Sequence, residues 1–123
     1  NSIFHGKGPT PTEIAREPSN GGKTYPYSEA VLINCQLEGI SPAGWGKIDG
    51  DPTNIHYWEY NSRNISNGKP VDVSERHTLS KQLIAGRDDK IIADYSNPAF
   101  VLGGWKPSIN KLIQTVSKTL AGK

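Results

Sequence analysis

The pattern of apolar and polar positions predicts several short strands joined by long turns. The strongest strand signal covers residues 29–37, whose centre is a continuous apolar run. Such a run is typical of a strand that is buried on both faces. Residues 88–95 predict a short helix that ends before Asn97 and Pro98. Weaker strand patterns occur at residues 2–5, 54–60, 71–73 and 77–83.

A longer amphipathic helix is predicted over residues 108–121. Its apolar positions recur with the helical period, at Ile109, Leu112, Ile113, Val116 and Leu120. Gly122 follows as a stop signal. A helix in this place would cover the open end of a stack of strands. An uncovered end exposes unpaired strand edges, which promote aggregation. Periodicity alone does not separate the end of a β-helix from a small sandwich.

Composition and charge narrow the class of protein. The chain has 123 residues, enough for one domain, and its 13 glycines and nine prolines favour frequent turns. The net charge is +2 without a basic block, so no nucleic-acid partner is predicted. No window reaches the ~18 apolar residues of a membrane span, so no membrane partner is predicted. The single cysteine, Cys35, is predicted to be buried and inert.

The chain contains no methionine and opens as though already within a strand. We therefore expect a processed chain or a piece of a longer one.

Several side chains are candidates for chemistry, each with a structural alternative. Trp45 lies on a turn rich in glycine and proline, where its indole could stack on a sugar or pack as a rim residue. Glu59 lies between Trp58 and Tyr60, as a buried structural carboxylate or as a general acid. The three histidines are widely separated, so neither a metal site nor a cofactor is predicted.

Six short segments resemble motifs of the pectin methylesterases, in the order in which that family has them. They are residues 31–37 (V-x-[IL]-N-[CST]-x-[LM]), 42–45 (P-A-G-W), 44–50 (near G-W-D-K-M-S-G), 58–61 ([AF]-E-Y-x-N), 76–83 (R-x-x-L-[ST]) and 101–107 (V-L-G-x-W-x-P). Together they correspond to the C-terminal third of the family's domain. The resemblance implies an all-β fold, in which residues 1–123 form the C-terminal rungs of a right-handed parallel β-helix of the pectin-lyase type. Residues 108–121 would be its capping helix.

The resemblance also implies an activity, the hydrolysis of methyl esters on galacturonan. In the family one Asp attacks the ester carbonyl, a second Asp acts as acid and then base, Gln side chains stabilise the oxyanion, and an Arg holds the nucleophile. Those Asp and Gln residues precede the segment present here. The implied partners are therefore methylated galacturonan and an upstream segment of the same protein, and the implied location is secreted or periplasmic.

The family's arginine motif, G-R-P-W, is altered in this chain. Arg16 keeps the guanidinium but loses the neighbouring Gly and Trp, whereas Lys7 keeps the order of strand, Gly and base. A lysine cannot form the same bidentate contact with a carboxylate. Ile48 matches a cleft position of the family, where it would contact the methyl ester, or else it covers the core.

The altered motif leaves other functions open. One is a catalytically silent β-helix protein that binds acidic polysaccharide. A pectate lyase is a further option, although the sequence has no acidic cluster for calcium.

Overall fold

The computed structural model describes residues 1–19 and 21–105, which form six short strands and two short helices. The strands are β1 (Ile3–His5), β2 (Glu29–Ile33), β3 (Gln36–Glu38), β4 (His56–Tyr60), β5 (Arg63–Asn64) and β6 (Lys81–Gln82). The helices are α1 (Asp89–Tyr95) and α2 (Pro98–Val101). None of the described helices is both long enough and apolar enough to cross a membrane.

The strands form two small parallel sheets of three strands each. One has the order β1-β3-β5 and the other β2-β4-β6, so the chain alternates between them. Ile3 lies opposite Gln36 in the first sheet, and Glu29 lies opposite His56 in the second. Parallel pairing requires a long connection between neighbouring strands, which explains the long turns in the sequence.

The predicted right-handed parallel β-helix is wrong for the described residues. The two sheets are separate and open, neither closes or curls, and residues 1–19 and 21–105 show no solenoid. Each strand is only two to five residues long. Turns and isolated bridges occupy most of the chain between the strands. The all-β prediction is also wrong, since α1 and α2 are present. The predicted capping helix, residues 108–121, lies outside the described residues.

Individual elements agree better with the sequence. Residues 88–95 were predicted as a helix and contain α1, and residues 54–60 contain β4. The strand predicted at 29–37 is present but is divided into β2 and β3. The strand predicted at residues 71–73 does not form, and that predicted at 77–83 shrinks to β6.

Two asparagines end neighbouring strands of the β2-β4-β6 sheet at equivalent positions. Asn34 follows β2 with φ 54°, and Asn61 follows β4 with φ 52°. Asparagine tolerates this left-handed conformation better than most residues, so the chain turns there from one sheet to the other. Asn61 Nδ2 donates a hydrogen bond of 2.7 Å to Asn34 Oδ1, which ties the two turns together.

Replacing Asn61 with alanine is expected to lower the free energy of unfolding by about 1–2 kcal/mol, the cost of a left-handed conformation with a Cβ. Replacing Asn61 with glycine is the matched control, because glycine adopts this conformation readily. Urea unfolding of both variants checks the prediction. Equal stability of the two variants would contradict it.

The core lies between the sheets and the turn that carries Trp45. Its buried members are Leu32, Cys35, Leu37, Trp45, Ile55 and Tyr57. Along β4, Tyr57 and Glu59 point inward, whereas His56, Trp58 and Tyr60 are only half-buried. The burial of Cys35 confirms its predicted place in the core.

Candidate functional site

The segment that carries Arg16 runs parallel to the turn that carries Trp45. Isolated bridges join Thr12 to Ile40 and Glu17 to Ile48. Four backbone hydrogen bonds of 2.7–2.9 Å extend this pairing: Ile14 N to Gly44 O, Gly46 N to Ala15 O, Glu17 N to Lys47 O and Asp49 N to Glu17 O. We call residues 12–17 and 40–49 together the Arg16 ladder. The ladder places Arg16 beside the turn although the two are far apart in sequence.

Arg16 is exposed on this ladder and lies close to the glycine after Trp45. A Cβ at Gly46 would lie 2.8 Å from the Cβ of Arg16, closer than side chains approach. Glycine at this position therefore permits the ladder to close. The side chain of Arg16 remains open to solvent, where it can meet an anionic group.

Lys7, the other predicted cation, lies in a different place. It is exposed and follows Gly6, whose backbone packs on Gly39. A Cβ at Gly6 would lie 2.5 Å from the Gly39 oxygen. The structure thus brings Arg16, and not Lys7, onto the ladder with Trp45 and Ile48.

Trp45 is in the core rather than on the surface. Its relative exposure is 1%, and its ring stacks on Tyr57 with centroids 4.9 Å apart and planes 9° from parallel. The indole packs the Arg16 ladder against β4 through Tyr57, so neither face is open to a sugar. Its placement corresponds to the packing alternative.

Ile48 is half-buried and packs against the same core cluster. Its bridge to Glu17 fixes the backbone of the turn at this point. Ile48 thus covers the core, while part of its side chain remains at the surface beside the residue that follows Arg16.

Glu59 forms a buried ion pair that explains why a carboxylate lies among aromatic rings. It is 0% exposed, and Arg76 donates from Nε to Oε1 at 2.9 Å and from Nη2 to Oε2 at 3.1 Å. Ser62 Oγ donates to Oε2 at 2.5 Å and Gln82 Nε2 to Oε1 at 2.8 Å. Burial alone would raise the pKa of Glu59, but these hydrogen bonds outweigh it and hold the pKa below its usual value. A carboxylate that stays ionised is a poor general acid, which confirms the structural alternative.

Arg76 also fixes the turn that precedes Trp45. Its Nη1 donates to the carbonyl oxygens of Ser41 and Pro42 at 3.2 and 3.1 Å. The side chain passes so close to Gly44 that a Cβ there would lie 2.7 Å from its Cδ. The role of Arg76 was missed from the sequence. The signal was Glu59 itself, since a buried carboxylate requires a cation or several donors.

A second polar cluster lies on the outer face of the β2-β4-β6 sheet. Glu29 Oε1 accepts hydrogen bonds from His56 Nδ1, at 2.8 Å, and from the Tyr95 hydroxyl. Burial and the neighbouring Glu29 raise the pKa of Tyr95 to about 12. The Trp58 ring stacks on His56 at 4.0 Å and meets the edge of Tyr95. This cluster, which was also missed from the sequence, attaches α1 to the sheet.

Within residues 1–19 and 21–105, no group of three or more His, Cys, Asp or Glu side chains could hold a metal ion. In comparisons with known proteins, no family model, no curated protein and no solved structure matches the chain. The chemistry of the Arg16 ladder is therefore inferred from its own residues and from the motifs that the sequence contains.

Proposed function

We propose that these residues belong to a carboxylic ester hydrolase that removes methyl esters from galacturonan. The reacting carboxylates would come from a polypeptide segment outside these 123 residues. The observation that carries the proposal is the exposed Arg16 on a ladder with the turn of residues 45–48. The motif resemblance assigns both parts to one substrate cleft, and they lie side by side.

Arg16 has the chemistry to hold a nucleophilic carboxylate. Its planar guanidinium can donate two parallel hydrogen bonds to the two oxygens of an Asp. A guanidinium in hydrogen-bond contact with the Asp would keep the pKa of the Asp low, so the Asp would remain ionised and oriented for attack. The attacking carboxylate oxygen would form a bond to the galacturonate carbonyl carbon and give an acyl-enzyme anhydride, and the bond from that carbon to the methoxy oxygen would break. A second carboxylic acid would give its proton to the departing methoxide and then take one from the water that hydrolyses the acyl intermediate.

The edges of the sheets provide a place for the missing carboxylates. Among the described strands, β1 and β2 each pair with a neighbour on one side only. An unpaired strand edge is a template for another extended segment. Residues 12–17, which carry Arg16, lie between β1 and β2 along the chain. A segment that pairs along these edges would bring its side chains toward Arg16.

A second candidate function is binding of acidic polysaccharide without catalysis. The burial of Trp45 and the loss of the tryptophan from the G-R-P-W motif favour it, because both remove an aromatic wall from the cleft. Methanol release separates the two functions. The esterase proposal predicts methanol and one new carboxylate per ester cleaved, from highly methylated galacturonan and the polypeptide in which these residues occur. Galacturonan binding by a folded protein without methanol release would support the second candidate.

Replacing Arg16 with alanine is expected to lower kcat/KM for methanol release by about 100-fold, as for other groups that stabilise charge in a reaction. Arg16→Lys should recover only part of this loss, because lysine lacks the planar pair of donors. Unfolding stability should not change, since Arg16 is exposed. Lys7→Ala is the matched control and should keep full activity. A large loss in Lys7→Ala with none in Arg16→Ala would move the role to Lys7.

A further inference from the structure

Two exposed tyrosines lie next to the segment that carries Arg16, because a hydrogen bond joins Tyr25 to Glu17. Tyr25 is 50% exposed and Tyr27 is 77% exposed. With Pro26 between them, they border a shallow depression of about 390 Å³ together with Thr24 and Ser28. We call residues 25–27 the tyrosine ledge. No described contact of the fold requires these two rings to be large and aromatic.

The backbone of the ledge is held in a closed turn. Ser28 N donates to the Tyr25 carbonyl at 3.0 Å and Ser28 Oγ donates to it at 2.8 Å, which closes a turn over Pro26. Proline fixes the backbone at the second position of such a turn. Aromatic side chains on a fixed backbone lose little conformational entropy when they bind a ligand, because each ring has only two side-chain torsions.

The ledge is also connected directly to the Arg16 ladder. Tyr25 N donates to Glu17 Oε1 at 2.6 Å, and Glu17 is 1% exposed. The backbone of Glu17 in turn bonds to Lys47 and Asp49 on the opposite side of the ladder. One buried carboxylate therefore sets the position of the ledge relative to Arg16 and Ile48.

We propose that the tyrosine ledge is a sugar-binding subsite for methyl-esterified galacturonan. The C–H faces of a pyranose ring would stack on Tyr27 and Tyr25, and the phenol hydroxyls would bond to sugar oxygens. A methyl ester removes the charge of each galacturonate, so an esterified stretch suits aromatic rings better than a cluster of cations. The inference rests on the proposed function, and it gives the cleft the aromatic surface that the buried Trp45 does not provide.

The test is calorimetric binding of fully methyl-esterified hexagalacturonate to the polypeptide in which these residues occur. Tyr27→Ala should weaken binding by about ten-fold, whereas Tyr27→Phe, which keeps the ring, should bind nearly as well as the parent. Leu79→Ala is the control for loss of an exposed apolar side chain elsewhere, since Leu79 is 46% exposed, and it should not change binding. Circular dichroism would verify that all variants are folded.

The outcomes separate the ledge from the esterase proposal. Unchanged binding in Tyr27→Ala, or loss equal to that in Leu79→Ala, would overturn the ledge even if methanol is still released. Binding that depends on Tyr27, without methanol release from the parent protein, would support the ledge and overturn the esterase proposal. No binding by the parent protein would overturn the ledge.

Discussion

Replacing Arg76 with alanine is expected to lower the free energy of unfolding by about 3–5 kcal/mol, the usual cost of leaving one partner of a buried ion pair alone. The Arg76 side chain is 4% exposed and the Glu59 side chain is 0% exposed. Loss of the Arg76 side chain would leave the Glu59 carboxylate with only Ser62 and Gln82 as side-chain donors. It would also free the carbonyl groups of Ser41 and Pro42 and so loosen the turn before Trp45. Denaturant unfolding of the variant measures the effect.

Arg63→Ala is the matched control for this prediction. Arg63 is an exposed arginine on β5, and its side chain donates a hydrogen bond to the Gly68 carbonyl at 3.1 Å. Its replacement should change stability by no more than about 0.5 kcal/mol, as is usual for surface positions. Similar losses in the two variants would show that Arg76 does not stabilise the core through Glu59.

The same ion pair predicts the direction of the pH dependence. The pKa of folded Glu59 lies below its ordinary value of 4.5, so the folded state favours the ionised form. The contribution of Glu59 to stability is thus present above that value and is lost as the pH falls through the folded-state pKa. In Arg76→Ala the main hydrogen-bond donor is absent, so this acid-dependent loss should be smaller than in the parent protein.

Replacing Trp45 with alanine is expected to lower the free energy of unfolding by about 3–5 kcal/mol, as for other buried aromatic side chains. The indole stacks on Tyr57 and packs the Arg16 ladder against β4. Removing it would leave a cavity and take away the contact that joins the ladder to β4. Thermal or denaturant unfolding measures this loss.

Trp105→Ala is the control for Trp45→Ala, because Trp105 is 63% exposed. Its loss should change stability by no more than about 0.5 kcal/mol. If Trp45 instead stacked on the sugar, Trp45→Ala would keep its stability and lose only substrate binding. That result would contradict the position of Trp45 in the core.

Local sequence patterns predicted the elements that depend on local signals. The apolar run before Asn34 predicted β2, and the stop at Asn97 and Pro98 marked the end of the α1 region correctly. Residues 71–73 have a strand-like pattern but form no strand. Strand formation depends on pairing with a neighbouring strand, and the local sequence does not show whether such a strand is present.

The candidate site depended on contacts between distant parts of the chain. The turn around Trp45 was read correctly as a turn. The direction in which the Trp45 ring points depends on the pairing of the turn with residues 12–17, and the turn residues alone do not predict that pairing. Arg76 and Glu59 are separated by β5 and a long turn. The sequence could indicate only that a buried Glu59 needs a hydrogen-bond donor, and not that the donor is Arg76. Likewise, the pairing of residues 12–17 with residues 40–49 places Arg16, and not Lys7, beside the turn, and no local pattern contained that pairing.

The role of Arg16 in ester hydrolysis is tested by the rate of methanol release from highly methylated galacturonan, compared between the parent polypeptide and its Arg16→Ala variant. Both proteins should unfold at the same denaturant concentration, so that a change in rate reports on chemistry alone. We expect measurable release by the parent polypeptide and a loss of about 100-fold in the variant. Equal rates in the two folded proteins, or no release by the folded parent, would contradict this expectation.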